Sequence, residues 1–326
     1  MPSAIFLDSG GVINDNAQRA PQWIRYLGEF LPTTILGGTA QVWGQANAQI
    51  VRPFFSRWYE YMAQATEMAS KAQDKAINLD GKDRNLVESG QDRDTNVYWI
   101  FERLQLLIWI KEMCKVAIPH IPGLESKIMP SLSDDEYFEI ARSAHLYVIQ
   151  RVKADYPGAV DTIRELSGKS GTSSQFNHKL YTSSGDCYED LECIFKGLGV
   201  YECFDEIYGS DKINCLKVSP KFYEKVFERV GLCVVSRGDD NKDDGGNGSG
   251  DSDGSNQDRD EVVVLDDSIK ALRWARALGA RTVLVTDIEI DLSLEGHDHI
   301  DYQIKALSEL PSLLQSWKVH LEGRSQ

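Results

Sequence analysis

The sequence predicts an α/β protein: a Rossmann-like parallel sheet core that carries an inserted, mostly α-helical domain. Three observations support this. Short β-rich runs at 4–8 (AIFLD), 178–182 (HKLYT), 205–209 (DEIYG), 261–266 (EVVVLD) and 281–286 (RTVLVT) are accompanied by helical patterns in the second half of the chain. Strands alternating with helices build βαβ units and hence a parallel sheet. The run VVVL at 262–265 is apolar without alternation, as suits a central strand buried on both faces. The first strand stands far from the second, and residues 17–155 between them are largely helical and aromatic.

The elements follow in chain order. Residues 1–16 hold the first strand, Ile5-Phe6-Leu7, which ends in Asp8 and then Gly10 and Gly11. The insertion, 17–155, contains Trp23, Trp43, Trp58, Trp99 and Trp109, read as core side chains. Within it LQLLIWI at 104–110 reads as a buried helix, and the polar stretch 69–95 as a long surface loop. The core resumes over 156–326 with helical patterns at 161–168, 188–199, 220–231 and 269–280, several stopping at glycine. Residues 236–260 are low-complexity Gly/Asp/Ser/Asn. Their eight Asp against Arg237, Lys242 and Arg259 give 3 − 8 = −5. Such a segment buries too little apolar surface to offset its ordering entropy, and reads as a disordered acidic insertion. It lacks the Glu at the twelfth position that a calcium loop needs.

Composition narrows the function. A net charge of −15 and a pI near 4.9 argue against a nucleic-acid partner, which requires a basic face. No apolar stretch reaches the length of a membrane span, and MPSAIFLD has no signal-peptide character. The six cysteines form no CxxC pair and read as free thiols, so the expectation is a cytoplasmic protein. The six histidines show no metal-ligand spacing, and His297 and His299 read as solvated.

In open parallel sheets, ligands bind beyond the carboxyl ends of the strands. Those ends carry Asp8, then Thr182-Ser183-Ser184-Gly185, then Asp266-Asp267-Ser268, while Lys217 precedes the helix at 220. Carboxylates, hydroxyls with backbone donors, and a fixed cation suit a phosphoryl group with Mg²⁺. Singly, each residue has a plainer role: Lys217 as a surface lysine, Thr182 as a helix N-cap.

The order of these motifs resembles the haloacid dehalogenase-like (HAD) hydrolase superfamily, with a cap inserted after the first motif. LDSGGV resembles motif one, LYTSS motif two, KVSPKFY motif three and VVVLDDS motif four. YPGAVDTIREL at 156–166 is similar to the usual re-entry from the cap. The resemblance covers 1–16 and 156–310. It implies an aspartyl-enzyme mechanism with Asp8 as nucleophile and Lys217 beside it, keeping Asp8 ionised. It implies phosphate binding by Thr182, Ser183 and Lys217. It also implies Mg²⁺ held by Asp8, the Gly10 carbonyl and Asp267, with Asp266 as the alternative ligand.

Phosphatases of that family usually carry a second Asp two residues after the nucleophile, as general acid and base. Here the position is Gly10. Three readings follow: a Mg²⁺-dependent phosphoesterase acting on a small organic phosphate, with its acid supplied by Asp15 or the cap or not needed; a C–X or C–P bond hydrolase, for which Lys71, Lys111 or Lys115 would have to form a Schiff base in the phosphonatase version; and a catalytically impaired binding or regulatory protein. The expected partner is a small molecule, with neither nucleic acid nor membrane; the oligomeric state stays open.

Overall fold

The computed structural model describes residues 4–78, 92–169, 176–232, 262–288, 290–291 and 298–323. Five strands form one parallel sheet in the order β2-β1-β3-β4-β5. They are β1 (Ala4–Leu7), β2 (Lys179–Thr182), β3 (Val262–Asp266), β4 (Arg281–Val285) and β5 (Tyr302–Ile304). The α/β, Rossmann-like prediction is therefore met.

Period-two alternation sorts the strand side chains onto two faces. Ile5, Leu7, Val263 and Leu265 pack with helices α6 (Ala159–Leu166), α7 (Tyr188–Leu198) and α10 (Leu310–Gly323). Ala4, Phe6, Val262 and Val264 pack on the other side with α8 (Lys221–Arg229) and α9 (Ile269–Ala277). Both faces of β1 and β3 are thus covered, which is why VVVL shows no alternation. Burying a Val or Leu fully contributes about 1.5–3 kcal/mol, so the side chains of these two strands anchor the sheet to both helix layers. The helix at 188–199 ends as the sequence predicts, with Gly199 as a left-handed C-cap at φ 69°.

Between β1 and β2 lie α1 (Asn16–Phe30), α2 (Ala40–Ser56), α3 (Trp58–Asn78), α4 (Val97–Ala117) and α5 (Asp134–Ile149). They share one core that includes Trp43, Trp109, Ile110 and Met113 and takes in Cys187 and Leu216 from the sheet part of the chain. Trp23, Trp58 and Trp99 pack against it half-buried, so the tryptophans are core residues, and 104–110 is helical.

Two expectations about the elements need correction. Residues 205–209 do not form a ladder; Tyr181 and Glu206 make a single bridge. Side chains of and beside β2 occupy the neighbouring backbone groups. The Asp205 carboxylate accepts the Leu180 N–H, and the Thr182 hydroxyl exchanges hydrogen bonds with both backbone groups of Tyr208. The fifth strand is instead Tyr302–Ile304, three residues with too little pattern to stand out. The expected loop at 69–95 is helical as far as Asn78, because Ala69 and Ala76 lie on the buried side of α3. The acidic insertion at 236–260 falls outside the described residues.

His299 is buried rather than solvated. No disulfide involves Cys114, Cys187, Cys193, Cys203 or Cys215. Among the described residues no helix is long and apolar enough to cross a membrane.

Candidate active site

Parallel register brings the strand ends into one row. Leu7 pairs with Thr182 on one side and Leu265 on the other, so Asp8 comes level with Ser183 and Asp266. Backbone bonds fix this row: Asp8 N–H donates to the Leu265 carbonyl at 3.1 Å, and Ser183 N–H to the Leu7 carbonyl at 3.0 Å.

Lys217 reaches two of the carboxylates. Its Nζ lies 3.1 Å from Asp8 Oδ1 and 2.7 Å from Asp266 Oδ2. Asp266 is wholly buried, Lys217 is 11% exposed and Asp8 13%. Asp266 is also the best-satisfied acid. Its Oδ2 accepts the Tyr223 hydroxyl at 2.9 Å, and its Oδ1 accepts the Ser268 N–H at 2.8 Å. Both oxygens are engaged, so Asp266 acts as an anchor for Lys217 and Tyr223. Asp267 faces solvent and has no cation partner among the described residues.

Asp8, Asp266 and Asp267 each present an oxygen within 4.8 Å of the others. With all three acids ionised the charge count is three carboxylates against one ammonium, −3 + 1 = −2. Burial pushes the Asp8 carboxyl from 3.8 up to about 8; Lys217 opposes this, and Asp266 and Asp267 add to it. The expectation that Lys217 holds Asp8 ionised is therefore incomplete: desolvation, with Asp266, Asp267 and Asp186 adding to it, outweighs one lysine. Burial works against the Lys217 ammonium, but Asp266 and Asp8 hold its pKa well above the usual lysine range. A donor set of hard carboxylate oxygens plus a backbone carbonyl suits Mg²⁺. Asp8 and Asp267 present such carboxylate oxygens, whereas both oxygens of Asp266 are engaged by Lys217, Tyr223 and Ser268.

Gly11 explains how the loop after β1 approaches Asp267. At φ 75°, a Cβ there would lie 2.0 Å from Asp267 Oδ2. Only glycine permits that contact. Gly10 is different: its φ is not in the left-handed region, and a Cβ would meet only the Asn16 side-chain amide, at 3.6–3.7 Å. The loop therefore has room for a side chain at 10, and the residue beside that space is an amide.

The remaining expected groups fall in different places. The Thr182 hydroxyl is fully buried and committed to Tyr208, donating to its carbonyl at 2.9 Å and accepting its N–H at 2.8 Å. Ser183, level with Asp8, has a buried Oγ without a hydrogen-bond partner. Of the two hydroxyls, Ser183 is the one left for a ligand. Asp15 is no acid in waiting. It caps α1, accepting from Ala17 N–H, Gln18 N–H and the Gln18 amide, and these bonds hold its carboxyl below the usual range. Lys71, Lys111 and Lys115 sit in surface ion pairs with Glu67, Asp134 and Glu112, far from the burial a Schiff-base lysine needs. Sequence reasoning gave no role to Tyr223 or to the Ser268 N–H. The KVSPKFY spacing was the available signal for Tyr223, since a helix starting after Pro220 turns it toward the strand ends.

No family model matches the chain, and no curated protein matches it. Solved structures do. The defluorinating L-2-haloacid dehalogenase Rha0230 is 15% identical, with 96% of this chain and 95% of that chain covered and a TM-score of 0.51. A dehalogenase captured with its intermediate is 15% identical, 96% covered on both sides, with a TM-score of 0.50. This chain has the haloacid dehalogenase fold. YfnB from Bacillus subtilis, bound to magnesium, is 13% identical over 96% of this chain and 98% of that one, with a TM-score of 0.48. In a haloacid dehalogenase fold the Asp8 row lies where open parallel sheets bind their ligands, beyond the carboxyl strand ends.

Proposed function

We propose that the chain is a hydrolase that uses Asp8 as nucleophile on a small organic phosphate, with Mg²⁺ as cofactor. The observation that carries this reading is the −2 charge of the Asp8/Asp266/Asp267/Lys217 cluster. Holding three carboxylates this close, two of them largely buried, against a single ammonium is costly unless a cation joins them. Asp8, Asp267 and the Gly10 carbonyl would hold that ion. When bound, it supplies positive charge for the phosphoryl oxygens and stabilises Asp8 as the anion.

The chain's own groups do the rest. An Asp8 carboxylate oxygen bonds to phosphorus as the bond to the leaving group breaks, and the leaving group departs with the electron pair. Water then releases inorganic phosphate and restores Asp8. Lys217 fixes the attacking carboxylate, and Ser183 offers its hydroxyl to the phosphoryl group. Thr182, which the resemblance implies as a phosphate ligand, has its hydroxyl committed to the Tyr208 backbone.

A side chain at position 10 would meet only the Asn16 amide, and no acid occupies that position itself, so on this reading the leaving group departs without a proton. General acid catalysis is worth about 10²–10⁴-fold, so the substrate class is phosphates with weakly basic leaving groups. A second reading, hydrolysis of a carbon–halogen bond, is favoured by the same Gly10, since halide needs no proton. The structural similarity to dehalogenases points the same way, while the excess of carboxylates does not. Turnover of p-nitrophenyl phosphate separates the two. Mg²⁺-dependent release of p-nitrophenol, lost with EDTA and in Asp8→Asn, is the expected result. Halide release from a 2-haloacid that survives EDTA, without phosphatase activity, would replace the first reading with the second.

A further inference from the structure

Behind the loop that carries Lys217 lies a cavity of about 420 Å³, within the size range of small-molecule sites. One wall is α3, through Ser70 and Gln73; the other is the loop and the first turns of α8, through Leu216, Val218, Lys221 and Lys225. The loop alternates. Leu216 and Val218 line the cavity, while Lys217 between them turns to Asp8 and Asp266. The cavity and the carboxylate row are thus back to back across three residues.

The loop is held for this. The Asn96 amide donates to the Asp211 carbonyl and the Val97 N–H donates to Asn214 Oδ1, both at 2.8 Å. Asn214 takes a left-handed conformation, φ 46°, which asparagine tolerates better than most residues. These bonds tie the start of α4 to the loop and leave the space between α3 and α8 open.

Its charge is unusual for this chain. The net charge is −15, yet the cavity is lined by two lysines and no acid. The Lys225 ammonium donates to the carbonyls of Ile213 and Asn214, each at 3.0 Å, and neither lysine forms an ion pair among the described residues. Glu224 and Glu228, on the same helix, do not close on them. Burial pulls the Lys225 pKa below the usual lysine range, and Lys221 and Arg229 pull it further. An anion would relieve that repulsion. Around the charge the lining is mixed: Val97, Leu216 and Val218 are apolar, the Ser70 hydroxyl can donate a hydrogen bond, and the Gln73 amide donates to the Thr95 carbonyl at 2.9 Å.

We propose that this cavity is a second ligand site, separate from the Asp8 row, which binds a small organic anion with a carboxylate or phosphate head and a short apolar body. The head lies at Lys221 and Lys225, and the body rests on Leu216 and Val218. The site does not depend on the chemistry assigned to Asp8.

Calorimetric titration of the full chain in EDTA tests it, with hexanoate as probe and neutral hexanamide as control. Hexanoate is expected to bind one-to-one, and hexanamide at least about tenfold more weakly, the worth of one charge-assisted hydrogen bond. Lys221→Gln weakens hexanoate by about the same factor. Ser70→Glu, on the exposed side of α3, places an acid in the wall and removes binding without touching either lysine. Asp8→Asn leaves it unchanged. Absence of saturable binding overturns the proposal. So does binding equal in Lys221→Gln, Ser70→Glu and the unaltered chain, or binding lost only in Asp8→Asn. Loss of phosphatase turnover with hexanoate binding intact would refute the function proposed for Asp8 alone.

Discussion

Two clusters of buried charge lie where the helices α1–α5 meet the sheet, and they differ in balance. At the strand ends, Asp8, Asp266 and Asp267 face one cation, Lys217. Farther out, Arg142 of α5 binds Glu102 of α4 and, at 2.5 Å, Glu189 of α7, while His145 of α5 lies 2.7 Å from Asp190 of α7. There three acids meet two cations, and each acid contacts a cation: Glu102 and Glu189 share Arg142, and Asp190 takes His145. The second cluster joins helix to helix and is a fastening. The first has an acid, Asp267, with no cation partner among the described residues and open to solvent. Buried carboxylates alone therefore do not mark a site; an uncompensated excess at the open end of a sheet does.

The largest expected effect breaks the first cluster. Asp8→Asn should lower p-nitrophenyl phosphate turnover by at least about 10³-fold, because no other group replaces a nucleophile. The fold should survive, as read by circular dichroism. Next comes the fastening. Arg142→Met leaves Glu102 buried without its cation and should cost about 3–5 kcal/mol in urea denaturation, with little change in KM. A loss below about 1 kcal/mol would mean that the second cluster is as tolerant of imbalance as the first.

Gly10→Asp sharpens the difference from the other side. The position accepts a side chain beside Asn16, so the variant should fold and should raise turnover of alkyl phosphates by up to about 10²-fold. Unchanged turnover would show that proton transfer is not what the site lacks.

Smaller effects follow from pH. Burial raises Glu102 from 4.5 to about 7 against the pull of Arg142. Burial lowers the His145 pKa, but Asp190 and Glu102 carry it above 6.5. Both groups bind protons more tightly when folded. Their stabilisation is complete below 4.5 and 6.5 respectively, and is lost as pH rises through the folded values. Asp8, raised from 3.8 to about 8, acts in the same sense. Asp190 acts oppositely: burial raises it but His145 holds it below 3.8, so its share is lost only in acid. Stability should therefore fall between about pH 5 and 8. Glu102→Gln should flatten that slope, by about 1–2 kcal/mol over the range.

The smallest effect separates the clusters by ligand. Mg²⁺ should raise the melting temperature by about 2–4 °C at pH 8 and less at pH 5, where Asp8 is protonated. Asp267→Asn should abolish the rise, and Glu102→Gln should not.

Much of this was legible in the chain. VVVL announced a strand covered on both faces, because an all-apolar run has no solvent side to offer. Asp8, Lys217, Asp266 and Asp267 were legible as strand-end and loop residues in a recognisable order. The paired roles were not. Thr182 and Ser183 are adjacent hydroxyls, and only the bonds to Tyr208 show which is committed. Asp15 looked available because a helix cap and a free acid have the same side chain. The run at 205–209 looked like a strand because its composition cannot reveal that Asp205 and Thr182 side chains take ladder positions.

The sequence by itself determined the layer architecture and the cast of charged groups, since periodicity and composition act locally along the chain. Only the tertiary structure decided which acid is anchored and which is open. It also decided that Gly10, unlike Gly11, has room for a side chain, and that Lys217 stands between a carboxylate row and a cationic cavity. Those are matters of distance between residues far apart in sequence. Burial and charge are set there by neighbours that no local pattern names.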